Sequence, residues 1–294
     1  MNTRDLRFRT NRAGDIVALL HEELDPLYGR AEVSVFCEML FEAYLGWSKT
    51  QLLTGRERTV DQSDLLRFHW ALEDLKRYRP IQHIIGHVDF CGCRIAVGPE
   101  VLIPRPETAE MAEWLVGALH DPRPGLRILD LCTGSGCIAI ALKKAFPLAQ
   151  ATAVDVSEAA LATARRNAAA NEAEVQFVQG DVLGGLDGLE GQYGLVVGNP
   201  PYVRESERTA MQPNVLDHEP SLALFVPDDD PLRFHRAIAA MARRRLVGGG
   251  MLAMEINEAL ADETCAVVRG QGFSPTVHDD FRGRPRWVSA VWNP

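Results

Sequence analysis

The most specific chemical pattern is Asn199-Pro200-Pro201-Tyr202, which follows an apolar run at 193–198. Proline fixes φ and lacks an N–H, so two prolines make a rigid turn that offers carbonyl acceptors without competing donors. A planar NH2 group needs an acceptor for each hydrogen, and an Asn side-chain oxygen beside a backbone carbonyl supplies both. We therefore predict that Asn199 and Pro200 hold a substrate amide or amine, with the Tyr202 ring covering it. The alternative is a purely structural turn with a packed tyrosine.

A second pattern lies upstream, where a glycine-containing turn, Cys132-Thr133-Gly134-Ser135-Gly136, separates a strand pattern from a helical one. Glycines let the backbone approach a ligand, and the helix that follows offers free N–H groups. Asp155 comes nineteen residues after Gly136 and ends the next apolar run, where a carboxylate can accept both hydroxyls of a ribose. The two features predict an adenosine-containing cofactor, and by themselves leave NAD and S-adenosylmethionine open.

The elements that must position these residues alternate between strand and helix from residue 126 onward. Apolar runs at 126–131, 151–154, 175–179 and 193–198 predict buried strands, and helical patterns at 137–146 and 157–170 lie between them. Such alternation implies a mostly parallel sheet with helices on both faces. The strand ends should then meet at one edge of the sheet. Asp181, after the third strand, either reaches an adenine amino group there or is a surface-turn aspartate.

The rest of the chain predicts a helical region, a hairpin and further sheet elements. Apolar residues recur at helical spacing from Ile16 to Leu27, from Val33 to Tyr44 and from Leu65 to Leu75, and Pro80 ends the pattern. A hairpin with Gly92 at its turn and a short extended segment are expected over 87–103. Toward the end we predict a helix at 231–246 closed by Gly248–Gly250, a strand at 251–256, a helix to about 269, and strands at 275–281 and 287–292.

Composition excludes several classes of protein. The 294 residues are 46% hydrophobic with a net charge of −9, which is ample for a core and unlike a protein that binds mainly through phosphate contacts. No apolar run is long enough to span a bilayer, and the charged first fifteen residues have no secretory h-region, so we expect a cytoplasmic protein. The six cysteines form no CxxC pattern, and no metal site is expected.

Several motifs together resemble one enzyme family. Asn199-Pro-Pro-Tyr202 after the fourth strand looks like the signature of amino-methylating, S-adenosylmethionine-dependent enzymes. The segments that resemble the release-factor glutamine methyltransferases, within the protein N5-glutamine methyltransferases, are Val101–Thr108, Pro80–Gly86, His218–Leu224 and Gly283–Val288. The chain departs from that family's pattern at Cys132, where the family has Gly, and at Ala109, where the family has Glu and this chain has its acid one residue later, at Glu110.

The resemblance implies a Rossmann-like class I methyltransferase domain, α/β with a mostly parallel seven-stranded sheet and helices on both faces. A small all-α domain and a β-hairpin connector precede it. The implied boundaries are a helical domain at 1–82 that docks the release factor, a connector at 83–108 and the methyltransferase domain at 109–294.

The resemblance also implies site residues. Asn199, Pro200 and Tyr202 would be catalytic, and the substrate glutamine would contact Asn199, Pro200, Pro201 and Tyr202. S-Adenosylmethionine would contact Cys132, Thr133, Gly134, Ser135, Gly136, Asp155, Asp181, Val182 and Asn199, and S-adenosylhomocysteine would be the product.

The implied activity is methylation of the side-chain nitrogen of the glutamine in the Gly-Gly-Gln loop of class 1 peptide chain release factors. The partner is thus a protein, with no direct contact to nucleic acid or membrane. We expect direct displacement, dominated by positioning and without a dedicated general base. The alternatives are methylation of a ribosomal-protein glutamine, methylation of adenine N6 in DNA, and a non-catalytic cofactor-binding protein.

Overall fold

The computed structural model describes residues 8–119, 125–184, 186 and 188–294. The chain divides into two compact units. The first comprises the chain through Gly86 together with Pro213–His218, and the second comprises His87–Gln212 and Glu219–Pro294. The division after Gly86 lies four residues beyond the expected end of the helical domain at 82. Residues 1–7 of that expected domain lie outside the described part of the chain.

The first unit is helical, as the apolar periodicity predicts. Its helices before the division are α1 (Ala13–Tyr28), α2 (Arg30–Leu45), α3 (Lys49–Thr54), α4 (Gln62–Leu75) and α5 (Ile81–Ile85). Ile16, Leu40 and Leu72 are fully buried in one apolar cluster, whereas Leu27 is 40% exposed although it continues the helical spacing. The periodicity therefore predicts the core of this unit with one exception at the end of α1.

The second unit alternates strands and helices along the chain. Its elements before the Asn199–Tyr202 turn are β1 (His87–Phe90), β2 (Cys93–Ala96), α6 (Pro106–Ala118), β3 (Arg127–Leu131), α7 (Cys137–Ala145), β4 (Gln150–Asp155), α8 (Glu158–Ala170), β5 (Val175–Gln179) and β6 (Tyr193–Gly198). The strands and helices after it are β7 (Val203–Arg204), α9 (Pro213–Leu216, in the first unit), β8 (Phe225–Val226), α10 (Arg233–Arg245), β9 (Leu246–Glu255), α11 (Ala261–Gly270), β10 (Ser274–Asp279) and β11 (Pro285–Val291).

Among the described residues, a seven-stranded sheet has the order β10-β11-β9-β6-β3-β4-β5. The strands β9, β6, β3, β4 and β5 run parallel, and β11 is antiparallel to both of its neighbours, β9 and β10. The chain turns back across the sheet after β5 to place β6 beside β3, so the order reverses at β3. Ligands of open α/β sheets bind at such a reversal, outside the carboxyl ends of the strands.

Helices cover both faces of this sheet. Ile128 and Leu195 belong to an apolar cluster that includes Met111 of α6 and Ile140 of α7. The next residues along the same strands, Leu129 and Val196, belong to a second cluster, with residues of α10 and α11. This alternation is the two-residue period of a strand whose faces are both buried, and it confirms the predicted fold class.

The glycines at 248–250 do not close a helix, which corrects the prediction. Helix α10 ends at Arg245, and β9 begins at Leu246. Leu246 pairs with Tyr193 and Met251 with Leu195, so the residues between Leu246 and Met251 form an irregular insertion in β9. Gly249 adopts φ +75° there and donates to the Trp292 carbonyl at 2.7 Å. A glycine run fits a helix end and a strand irregularity equally well, and the strand pairing decides between them.

The predicted hairpin is confirmed. Strands β1 and β2 pair in antiparallel register, and Cys91 and Gly92 both have positive φ at the turn, +46° and +75°. This is the backbone of a two-residue hairpin turn that favours glycine.

Across the residues that the structure describes, no helix has the length and apolar character needed to cross a bilayer.

Candidate functional site

The predicted site residues meet in a pocket at the carboxyl edge of β3, β4, β5 and β6. The pocket encloses about 950 Å³, including space that opens to solvent. The predicted residues that line it are Cys132, Thr133, Gly134, Ser135, Asp155, Asp181, Val182, Asn199 and Pro201. Gly136, Pro200 and Tyr202 do not contribute to its wall. Four separate strand ends thus converge on one cavity.

Asp155, the last residue of β4, hydrogen-bonds to the glycine turn. Asp155 Oδ2 accepts a hydrogen bond from Gly134 N at 2.8 Å, and Oδ1 accepts one from Ser157 N at 2.9 Å. Burial raises the pKa of Asp155, and these backbone donors oppose the rise. Each carboxylate oxygen keeps further lone pairs for a ligand in the pocket.

The turn between β3 and α7 contains left-handed residues. Cys132 has φ +61° and Gly136 has φ +82°. A Cβ at Gly136 would lie 3.1 Å from the Ala164 Cβ of α8, so close packing also restricts this position. Cys132 pays a steric cost for its conformation that glycine would avoid. Burial raises the pKa of its thiol well above the usual value.

The buried carboxyl group of Asp130 hydrogen-bonds to the turn. Asp130, fully buried in β3, accepts from Thr133 Oγ1 at 2.5 Å and from Ala139 N at 3.2 Å. Its Oδ1 has no hydrogen-bond partner among the described residues. Burial raises the pKa of Asp130 to about 7. The side chain therefore links the start of α7 to the strand that carries the turn.

Asn199 projects from the end of β6 with a defined amide orientation. Its Nδ2 donates to Thr108 Oγ1 at 3.3 Å, and Thr108 is buried at the first turn of α6. The preceding residue, Gly198, has no room for a side chain, since a Cβ there would lie 2.6 Å from the Leu131 carbonyl. Close packing between β6 and β3 at Gly198 therefore determines where the rigid turn begins. Because Asn199 Nδ2 already donates to Thr108, Asn199 Oδ1 is the amide atom that can still accept a hydrogen bond from a ligand.

Tyr202 reaches a second buried carboxyl, Glu255, at the end of β9. The Tyr202 hydroxyl lies 3.4 Å from Glu255 Oε2, and burial raises the pKa of Tyr202. Glu255 is 1% exposed, and burial raises its pKa to about 7. Glu255 was not among the site residues predicted from the sequence. An acid that closes an apolar strand, as Asp155 does, is the signal that could have identified it.

The motifs quoted for the resemblance also shape the pocket. Glu219 accepts from Ile103 N at 2.9 Å and from Arg105 Nη2 at 2.6 Å, which joins the segment after α9 to the segment before α6. From these two segments, the first turn of α6 and α10, additional residues line the pocket: Glu100, Val101, Leu102, Pro104, Thr108, Pro220, Leu222, Ala223 and Phe234. Sequence spacing gave no direct indication of these contacts, because they depend on chain segments far apart.

The remaining motif residues have structural partners. Arg286 donates to Asp280 Oδ2 from Nε and Nη2, at 3.2 and 3.0 Å. Glu110, the displaced acid, accepts from Phe281 N at 3.0 Å and so fixes the turn between β10 and β11. In the first unit, His218 Nε2 lies 3.1 Å from the Arg77 carbonyl.

Comparisons with known proteins agree with this architecture. The Methyltransferase small domain profile matches residues 109–218, and the PrmC N-terminal domain profile matches residues 28–86. A solved methyltransferase structure from Pyrococcus furiosus superimposes with a TM-score of 0.50 at 20% identity, covering 69% of this chain and 90% of that one, which supports the fold.

Relatives with much higher identity extend over nearly the whole chain. A release factor glutamine methyltransferase from Bacteroides thetaiotaomicron is 40% identical over 94% of this chain and 98% of its own length. One from Flavobacterium psychrophilum is 38% identical over 91% of this chain and 94% of its own length. These relatives confirm the resemblance drawn from the motifs, and the chain belongs to the family of release factor glutamine methyltransferases.

Proposed function

We propose that this protein transfers a methyl group from S-adenosylmethionine to the side-chain amide nitrogen of the glutamine in the Gly-Gly-Gln loop of class 1 peptide chain release factors. The observation that carries the proposal is the position of Asn199, which directly follows β6 and lines the same pocket as the glycine turn and Asp155. The names of the relatives supply the substrate class.

The residues of the pocket fit an adenosine-containing cofactor. Asp155 presents a carboxylate suited to ribose hydroxyls, and Asp181 and Val182 lie at the end of β5, where the adenine is expected. Val156, 45% exposed and in the pocket wall, offers an apolar contact for a base. In this proposal the turn at Cys132–Gly136 contacts the cofactor through its backbone. When bound, the cofactor would supply an electrophilic methyl group. The amide nitrogen would form the N–C bond as the S–C bond breaks, S-adenosylhomocysteine would leave, and the nitrogen would lose one proton to water.

The Asn-Pro-Pro-Tyr turn fits a planar amide. An amide nitrogen is a poor nucleophile because its lone pair is delocalised, so the enzyme must hold it in line with the methyl group. Asn199 Oδ1 and the Pro200 carbonyl would each accept one of its hydrogens, and Pro201 contributes to the pocket wall. Tyr202 does not line the pocket, and in this proposal it supports the Asn-Pro-Pro turn, with its hydroxyl 3.4 Å from Glu255 Oε2. Positioning supplies most of the acceleration in this account.

We further propose that the helical unit docks the release factor. Its surface exposes Leu53, Trp70 and Val35, at 58%, 54% and 50% of their areas. Tryptophan is among the side chains that most often dominate binding energy in protein interfaces, so Trp70 is the proposed anchor. The catalytic unit would then be free to position the cofactor and the glutamine loop.

The decisive experiment uses isotopically labelled S-adenosylmethionine with purified release factor, followed by mass-spectrometric mapping of the labelled residue. We expect one methyl group on the nitrogen of the Gly-Gly-Gln glutamine. A release factor with Gln replaced by Glu at that position is the matched control and should remain unlabelled.

Parallel reactions with ribosomal proteins and with plasmid DNA distinguish the alternatives. Label on a ribosomal-protein glutamine or on adenine N6, with none on release factor, would overturn the proposed substrate. Cofactor binding without any methylated product would favour a binding protein instead.

A further inference from the structure

A buried acid stands beside the proposed substrate turn. Gly198 at the end of β6 pairs with Met254 of β9, so Asn199 and Glu255 are the next residues on two adjacent parallel strands. Glu255 is 1% exposed, and its Oε1 has no hydrogen-bond partner among the described residues. A carboxyl group that is buried and incompletely satisfied lowers stability. Its position one strand away from Asn199 suggests what it contributes.

Thr108 lies between the two residues. Its Oγ1 accepts from Asn199 Nδ2 at 3.3 Å. Thr108 also lies close enough to the Glu255 carboxyl to lower the pKa of that group as a hydrogen-bonding neighbour. Thr108 itself is 2% exposed and lines the pocket. The three side chains therefore form one short chain of polar groups from the interior to the pocket.

We propose that Glu255 is a positioning residue that fixes the orientation of the Asn199 amide through Thr108. This inference rests on the proposed function, because it concerns the face that Asn199 presents to the substrate amide.

The orientation of the Asn199 amide follows from the donors and acceptors that surround it. An ionised carboxylate can only accept, so the single hydroxyl hydrogen of Thr108 is given to Glu255. The Thr108 oxygen is then an acceptor, and it takes a hydrogen from Asn199 Nδ2. Asn199 Oδ1 consequently points away from Thr108 and can accept from the substrate NH2. If the Asn199 amide had the opposite orientation, its own NH2 group would face the NH2 group of the substrate amide, and neither could accept a hydrogen bond.

Other ionisable groups near Glu255 also affect the pKa of its carboxyl group. Burial raises its pKa to about 7, and Arg286 and Tyr202 oppose the rise, whereas Glu107 adds to it. His235 of α10 lies 2.9 Å from the Glu255 backbone carbonyl, and Cys137 of α7 also interacts electrostatically with the carboxyl. Protonated Glu255 could donate to Thr108 and release the constraint on Asn199.

Two isosteric substitutions test the inference in the full-length enzyme with release factor as substrate. Glu255→Gln keeps the size of the side chain but can present either a donor or an acceptor to Thr108. Thr108→Val keeps the volume and removes the hydroxyl. We expect each to lower kcat by about 10- to 100-fold, since a misoriented contact group costs of that order. The KM for release factor should change less than about threefold, because neither variant alters the docking surface.

Three further measurements separate positioning from a general structural role. Thr108→Ser should restore most of kcat because it restores the hydroxyl. The double variant should be no slower than either single variant, because both remove the same constraint. Thr264→Val is the matched control, since Thr264 is fully buried in α11 with its hydroxyl on the Leu260 carbonyl, and it should keep wild-type kcat.

A pH profile adds an independent readout. The wild-type kcat should fall as pH decreases through the region near 7, whereas the Glu255→Gln rate should be low and flat there. Equal pH profiles for the two proteins would contradict the inference.

The inference is overturned if Thr108→Val keeps kcat within about twofold of wild type, or if the two substitutions have additive effects. If Glu255→Gln does not fold, the comparison of Thr108→Val with Thr108→Ser decides alone: equal rates would contradict the inference. Failure of the proposed function looks different, because the wild-type enzyme itself would then leave release factor unmethylated.

Discussion

The Asp155 carboxylate accepts a hydrogen bond from the Gly134 backbone at 2.8 Å, so the acid that ends β4 also holds the glycine turn that follows β3. One side chain thus has two tasks, to shape the turn and to present acceptors to the pocket. A substitution at Asp155 should affect both, which distinguishes it from other acids of the pocket.

Asp155→Ala should weaken S-adenosylmethionine binding by about 100-fold or more. It removes a charged acceptor, for which each hydrogen bond contributes about 1.5–3 kcal/mol. Isothermal titration calorimetry measures the change. Asp181→Ala is the control within the same pocket, and we expect a loss nearer tenfold from a single contact. An Asp155→Ala protein with wild-type affinity would exclude the ribose role.

Asn199→Ala should reduce turnover on release factor by about 100-fold, because it removes one of the two acceptors that align the amide nitrogen. The cofactor affinity should fall by no more than about tenfold, the value of one hydrogen bond. Single-turnover kinetics with saturating cofactor separates the two effects. Near-normal turnover of this variant would refute the proposed amide site.

Cys132 gives a stability prediction. The left-handed region costs an L-residue about 1–2 kcal/mol, and Cys132 has φ +61°. Glycine removes this cost but loses about 0.5–1 kcal/mol in chain entropy, so Cys132→Gly should be unchanged or more stable by up to about 1.5 kcal/mol. Cys132→Val should be clearly less stable, because a β-branched residue is strongly disfavoured at positive φ. Urea denaturation without cofactor compares the three proteins, and a stable Val variant would contradict the argument.

The sequence predicts the strand ends better than it predicts their neighbours. Cys132, Asp155, Asp181 and Asn199 could be placed at one edge because parallel strands end there together. Glu255 also ends a strand, but its contact with the Asn199 turn requires β9 to lie beside β6. That order depends on the long connection through β7, α9, β8 and α10, which leaves no local periodic pattern.

The glycines at 248–250 illustrate a different limit. Their composition indicates a break in regular structure, which is correct, but not which element is interrupted. The pairing of Tyr193 with Leu246 and of Leu195 with Met251 determines that β9 contains the irregularity. A non-local register therefore carries information that the local residue types do not.

The proposed docking role of the helical unit can be tested at its surface. Trp70→Ala should raise the KM for release factor at least about fivefold, as expected for loss of a tryptophan anchor. The kcat and the cofactor affinity should not change, because Trp70 belongs to the unit without the pocket. Leu148→Ala is the matched control, since Leu148 is 93% exposed on the other unit and should leave KM unaltered. Equal KM values for Trp70→Ala and wild type would show that the factor docks without Trp70.

Asp130 should make the stability of the folded protein depend on pH. Its pKa is about 7 in the folded state and 3.8 in the absence of the fold, so between these values the folded state binds the proton more tightly. The contribution of Asp130 to stability is therefore fully present below pH ~4 and is lost as pH rises through ~7. The Asp130→Asn variant has no ionisable group at this position, so it does not lose this contribution to stability as pH rises.

The unfolding free energy of Asp130→Asn, taken relative to wild type, should increase by on the order of 1 kcal/mol per pH unit from pH 5 to pH 7. His235 has its pKa lowered to about 4 by burial and loses stability in the opposite direction, as pH falls, but it is common to both proteins and cancels in the difference. Chemical denaturation at pH 5, 6, 7 and 8 without added cofactor measures this difference. A difference that is constant across the range would mean that Asp130 is ionised in the folded protein at every pH tested, and its buried carboxylate would then have to be stabilised by Thr133 and Ala139 alone.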